Sequence, residues 1–131
     1  MLLIPTYVAP SSIEGVGVFA AEDIPAGVLI WELNLDLDRL LDPTQLAMLP
    51  PVLKAFAERY GYPYPHDPTR LVLEMDNGRF MNHAFRPNTS FVDPDAGYTI
   101  QAVKVGSELT CNYGEFDPFF EMLPGHMFVN A

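Results

Sequence analysis

Apolar positions fall in short runs separated by proline and glycine, the pattern of a chain built from brief strands. Leu2 to Val8 is apolar and β-prone but interrupted by Pro5, which suits a first or edge strand. Gly15 and Gly17, one residue apart, permit a tight turn with close backbone approach before a short strand running toward Ala21. Ile24-Pro25-Ala26-Gly27 has proline second and glycine fourth, a type I turn pattern. Val28 to Leu37 then alternates, placing Leu29, Trp31, Leu33, Leu35 and Leu37 on one face of a predicted strand.

The periodicity changes in the middle of the chain. Asp42 followed by Pro43 is a helix-start signal, and Pro50-Pro51 ends that helix and opens another. The second, Pro51 to Tyr60, puts Val52, Leu53, Phe56 and Tyr60 on one stripe and is closed by Gly61. Tyr62 to Pro68, with three prolines, reads as a loop, and Leu71 to Met75 as a strand. Thr89 to Val92 and Tyr98 to Val103 form a predicted hairpin across 93–97, and Glu108 to Tyr113 is a strand after the Val105-Gly106-Ser107 turn. The segment from 115 to 131 carries Phe116, Phe119, Phe120 and Phe128 and is too apolar for a solvated linker. With no repeat and no domain linker, the expectation is one mostly β domain of 131 residues with a helical insert at about 43–60.

Charge narrows the partners. Seventeen acidic and seven basic residues give −10, which opposes direct nucleic-acid binding and favours a cationic partner. A single cysteine, Cys111, excludes an intrachain disulfide or a cysteine-based zinc cluster, and fits a reducing compartment. His66, His83 and His126 lack the spacing of a helical ligand pair, so no metal site is predicted. No apolar run reaches membrane-spanning length and Met1 to Pro5 has no basic lead, so the expected setting is intracellular: cytoplasmic, or nuclear in a eukaryote.

Three segments carry candidate chemistry: Gly15-Val16-Gly17-Val18-Phe19; Arg79-Phe80-Met81-Asn82-His83-Ala84-Phe85-Arg86-Pro87-Asn88; and Glu108-Leu109-Thr110-Cys111-Asn112-Tyr113-Gly114. Each alone has a plain structural explanation, respectively a tight turn, a loop whose asparagines cap its own backbone, and a core tyrosine at a strand end. The first lacks the third glycine and following helix of a dinucleotide-binding turn.

In this order and spacing the three segments resemble the SET-domain protein lysine methyltransferases, over about residues 13–114. The resemblance implies a β-clip-like fold of short strands in small sheets, with the second and third segments crossing as a pseudoknot. It implies S-adenosylmethionine as cofactor, leaving as S-adenosylhomocysteine. Backbone around Gly15, Gly17 and Phe19 would hold its methionine part, Asn82 its amino-acid moiety and His83 its adenine, with Arg79 and Phe80 supporting the pocket. Tyr113 would be the catalytic tyrosine. Trp31, Tyr98 and Phe116 are candidates for the substrate channel. Tyr60, Tyr62, Tyr64 and Tyr98 are candidates for a second channel tyrosine.

Two departures from the family pattern stand out. Ala84 replaces the serine that commonly follows the histidine, and no cysteine-rich zinc-binding tail follows Tyr113; Phe116, Phe119 or Phe120 is the candidate lid instead. A surface ion pair is the other reading of Arg79. Because a lysine amine must arrive neutral, carboxylates are expected outside the channel, where they attract a basic protein segment such as a histone or histone-like tail. With a phenol of ordinary pKa near 10, Tyr113 is expected to orient the amine and not to act as a base. The apolar tail raises the further expectation of a homodimer. The competing readings are a SET-like domain without transfer activity, and a non-catalytic β-clip module of the SAF type, which Ala21 to Ile30 also resembles but which leaves the second and third segments without a task.

Overall fold

A computed structural model describes residues 1–117 and Phe120, and is mostly β. The elements are β1 (Thr6–Pro10), β2 (Val16–Ala20), β3 (Leu29–Glu32), β4 (Arg39–Leu41), α1 (Pro43–Ala47), α2 (Pro51–Tyr60), β5 (Tyr62–Tyr64), β6 (Asp67–Leu73), β7 (Asn82–His83), β8 (Thr89–Ser90), β9 (Ala96–Thr99) and β10 (Glu108–Cys111). Short 3₁₀ turns occupy Asn77–Phe80 and Tyr113–Glu115. Three small sheets result, ordered β1-β2-β10-β7, β3-β9-β8 and β4-β6-β5. No helix of the described residues is long and apolar enough to cross a membrane.

The first sheet brings distant segments together. β10 runs antiparallel to β2, with Leu109 opposite Val18, and parallel to β7, with Thr110 opposite Asn82 and Cys111 opposite His83. Ladders this short are reinforced by side chains. Asn88 donates its amide N–H to the carbonyl of Glu108 at 2.8 Å and accepts from the N–H of Thr110 at 2.9 Å, so one side chain pairs with β10 as a backbone unit would. Buried Thr89 donates to the Thr110 carbonyl at 2.7 Å. Around this ladder lies the core of Val18, Ala20, Ile24, Ile30, Trp31, Met81, Val103, Leu109 and Cys111.

The main departures of the structure from the sequence expectations are these. The strand after Gly27 stops at Glu32, and Leu35 and Leu37 are exposed; the chain instead turns so that the buried carboxylate of Asp38 can accept the N–H groups of Asn34 and Met75, at 3.1 and 3.2 Å. The preceding turn bends at Ala26-Gly27 with Gly27 at φ +77, so the glycine fills a position that demands left-handed backbone and not the fourth place of a type I turn. Tyr62 to Pro68 is no loop: β5 pairs with β6, and Pro63 is tolerated because β5 is an edge strand. The stripe on α2 does not face the core. Val52, Leu53 and Phe56 are exposed, and Ala57 is the buried residue of that helix.

Other start and stop signals hold. Asp42 and Gln45 form a reciprocal capping box at α1, and the predicted hairpin forms with Thr89 opposite Thr99, although its second strand is Ala96–Thr99 and not Tyr98–Val103. Gly61 closes α2 for a different reason from the one its residue type implies. Its φ is −82, open to any residue, but a Cβ there would stand 2.5 Å from Leu71 Cδ2 and 2.6 Å from the Ala57 carbonyl. Gly61→Ala is therefore expected to destabilise the fold by about 1–3 kcal/mol through overpacking, measured as a lower urea midpoint at unchanged slope.

Candidate active site

One large cavity, about 610 Å³, lies where the loop before β2, the C-terminal end of α2, β5, the 79–83 segment and the turn after β10 converge. That volume is in the range of small-molecule and cofactor sites. Its two ends differ in character.

The polar end is organised by Asn82. Its amide N–H₂ lies within hydrogen-bond distance of the carbonyls of Glu14 (3.2 Å) and Val16 (3.0 Å) and of Glu108 Oε2 (2.9 Å). Glu108 in turn accepts from Ser11 Oγ at 2.8 Å. This knot explains both glycines of the first motif, by different physics. Gly15 has φ +49, left-handed backbone that favours glycine. Gly17 has ordinary backbone, but a Cβ would stand 2.3 Å from Glu108 Oε2 and 3.1 Å from the Asn82 amide nitrogen, so the knot occupies the space of its missing side chain. His83 Nδ1 accepts the backbone N–H of Tyr113 at 3.1 Å, which places the neutral ring's proton on Nε2. The His83 ring packs against Phe85, Tyr113 and Phe120.

The other end is aromatic. Trp31 meets Phe91 edge-on at 5.6 Å between centroids; Phe91, Tyr113 and Tyr62 all meet Phe116, at 5.9, 5.9 and 5.0 Å. The buried indole N–H of Trp31 has no hydrogen-bond partner among the described residues. Tyr113 stands between the two ends and donates its phenol proton to the carbonyl of Met81 at 2.5 Å. Burial pushes that phenol well above its ordinary range, so it stays protonated at neutral pH.

Of the residues singled out in the sequence, Gly15, Arg79, Phe80, Asn82, His83, Tyr113, Trp31 and Phe116 all line this cavity. Gly17 and Phe19 do not line it; the Phe19 ring stacks on Tyr7 at 5.5 Å. Tyr98 does not line the cavity; it is exposed on β9, opposite Leu29. Among the other tyrosine candidates, Tyr60 and Tyr62 line it, and Tyr64 stacks on His66. Of the lid candidates, Phe116 and Phe120 line the cavity, while Phe119 lies outside the described residues. Arg79 makes no ion pair among the described residues; its guanidinium lies over the rings of Phe80 (4.8 Å) and Phe56 (5.9 Å).

One expectation is overturned. Carboxylates are not confined to the outside, because Glu74 is buried in the cavity wall and accepts a hydrogen bond from the Tyr62 hydroxyl at 3.2 Å. Burial pushes its carboxyl up to about 7, so a protonated form is well populated at neutral pH and the cost of an unpaired buried charge is reduced. Sequence reasoning also missed Phe91 and Glu108. Phe91 had no signal beyond its type, whereas Glu74 and Glu108 are single charges within apolar strand segments.

Comparison with known proteins bears on the fold and the family. Curated proteins give no match. Among solved structures, Chaetomium thermophilum Polycomb Repressive Complex 2 bound to GSK126 superposes with a TM-score of 0.65 at 24% identity, over 88% of this chain and 16% of that one. The same complex in an autoinhibited conformation bound to S-adenosylmethionine gives 0.63 at 24%, over 88% and 16%. A Plasmodium falciparum protein described as a histone methyltransferase gives 0.60 at 19%, over 86% and 96%. These likenesses concern the fold, and the chain spans about one-sixth of the Polycomb chains it matches. The SET-domain family model matches residues 15–114, most of the sequence and all three motif segments, and the chain therefore belongs to the SET-domain family, whose members are in general protein lysine methyltransferases.

Proposed function

We propose that this protein transfers a methyl group from S-adenosylmethionine to a lysine side chain on a basic segment of another protein, histone-like tails being the model substrate. The observation that carries the reading is a single cavity with one polar and one aromatic end, and Tyr113 between them. Residues 1–131 act as one SET unit with its core at about 13–114.

The residues present fit the cofactor. The polar end offers the backbone of Gly15 and Val16 and the side chain of Asn82, whose amide oxygen is left over from its three N–H₂ contacts and suits an amino-acid ammonium. Backbone at His83 suits the adenine, and Arg79 and Phe80 supply the adjoining wall. When bound, S-adenosylmethionine supplies an electrophilic methyl group on a sulfonium.

The chain's own task is to prepare and aim the acceptor. Deprotonating a lysine of ordinary pKa at pH 7 costs about 4.6 kcal/mol. The walls formed by Trp31, Tyr62, Phe91 and Phe116 lower that cost by desolvating the ammonium. Tyr113 gives its proton to Met81, so its oxygen lone pairs can receive an N–H of the amine and hold the nitrogen in line. Glu14, Glu58, Asp93 and Asp117 also belong to the cavity lining, against Arg59 and Arg79, and this excess negative charge attracts a basic segment.

Radiolabelled methyl transfer to a panel of basic proteins tests the reading, and no incorporation into any of them would overturn it. Tyr113→Phe is expected to reduce turnover on the order of 10²-fold, as loss of a positioned polar group does, with cofactor affinity by calorimetry unchanged. For a basic peptide, raising salt from 50 to 500 mM should lower kcat/KM with kcat nearly constant. Glu58→Gln/Asp93→Asn should flatten that salt dependence.

A further inference from the structure

The cavity wall holds one carboxyl to which the methyl-transfer reading gives no task. Glu74 directly follows β6, is 7% exposed, and accepts from Tyr62 on the neighbouring strand. Its other oxygen lies against Gly78, where a Cβ would stand 2.7 Å away. No lysine or arginine pairs with it among the described residues. The titratable groups facing it are Tyr62, Asp38, Asp76 and the terminal amine of Met1, with Cys111 and Tyr113 farther off. A purely structural role would be better served by glutamine, which keeps a partner for the Tyr62 hydroxyl without burying an acid.

Tyr62 also packs on Phe116, and Phe116 on Tyr113, so Glu74 belongs to the aromatic end where the acceptor enters. We infer that Glu74 is the proton acceptor for the incoming lysine. The Nζ–H bond breaks, its electron pair stays on nitrogen as the nucleophilic lone pair, and the proton moves to a carboxylate oxygen of Glu74. The methylated product leaves as an ammonium, and Glu74 returns its proton to solvent.

Both groups are driven the same way by the dry aromatic surroundings. Desolvation lowers an amine's pKa and raises a carboxyl's, so the neutral pair gains on the ion pair and the proton crosses from nitrogen to oxygen. Burial already pushes Glu74 up to about 7, where a general base works well at neutral pH, whereas Tyr113 is pushed the wrong way for that task.

The inference rests on the methyl-transfer reading and is tested on wild type, Glu74→Gln and Tyr62→Phe. In wild type, kcat/KM should rise with pH through an inflection near Glu74's value of about 7. Glu74→Gln should lose that inflection, its rate instead following the free amine, about tenfold per pH unit. Tyr62→Phe removes a hydrogen bond that favours the carboxylate and should move the inflection upward. An unchanged profile in Glu74→Gln would overturn the inference.

A second arm needs no turnover. In protein with ¹³C-labelled glutamate carboxyls, n-butylamine should shift the Glu74 resonance, and Glu74→Gln should bind the amine more weakly at pH 7. A resonance indifferent to the amine overturns the inference, whereas failed methyl transfer beside a shifted resonance counts against the methyl-transfer reading alone. Folding of Glu74→Gln is checked by heat. Because the folded carboxyl lies above its ordinary 4.5, native stability falls as pH rises from about 4.5 through about 7. The variant should therefore melt above wild type at pH 8 and not at pH 4.5. Should it fail to fold, the direction of the Tyr62→Phe shift decides.

Discussion

The pairing of β10 on both of its sides is the constraint on which the rest of the molecule depends. Four residues, Glu108–Cys111, must hold β2 on one flank and β7 on the other, too few to do so by ladder hydrogen bonds alone. Side-chain amides supply the remainder. Asn88 pairs with β10 as a surrogate strand, and Asn82 is fastened to Glu108 and to the carbonyls of the loop at Glu14 and Val16. The polar end of the cavity is thus the same hydrogen-bonded object that closes the sheet, so stability and site geometry cannot be separated there.

Low dielectric surroundings govern the other end. Tyr62, Glu74, Cys111 and Tyr113 are all shifted upward, with burial as the first cause in each case. Tyrosine and cysteine are thereby held neutral far from physiological pH, while Glu74 alone is brought into the range where a proton can come and go. A single physical property, exclusion of water, silences three groups and tunes the fourth.

Much of this was legible in the sequence because it was written in local signals. The capping box at Asp42 and Gln45, the helix restart at Pro51 and the hairpin joining β8 to β9 depend on neighbours within a few residues. Of the eight cavity-lining candidates, six were legible through motif order, and Trp31 and Phe116 through aromatic type alone. What escaped depends on contacts far apart in the chain. Alternation after Glu32 read as continued strand, but Asp38 folds the segment back toward Met75. The α2 stripe looked like a core face, yet Val52, Leu53 and Phe56 are exposed and Tyr60 alone of the four turns inward, onto Phe80. Pro63 marked a loop until strand order placed it at an edge. Tyr98 suited a channel by type, but the register of β9 against β3 leaves it exposed.

The lone cysteine offers a use of its own. Cys111 is 3% exposed, sits opposite His83 in the two-residue parallel ladder, and has a thiol that burial keeps protonated. A thiol so placed is inert to alkylating reagents while the ladder is closed and becomes reactive once β7 and β10 part. Its labelling rate is therefore a native clock for opening of the β7–β10 ladder, with no second cysteine to confuse the reading.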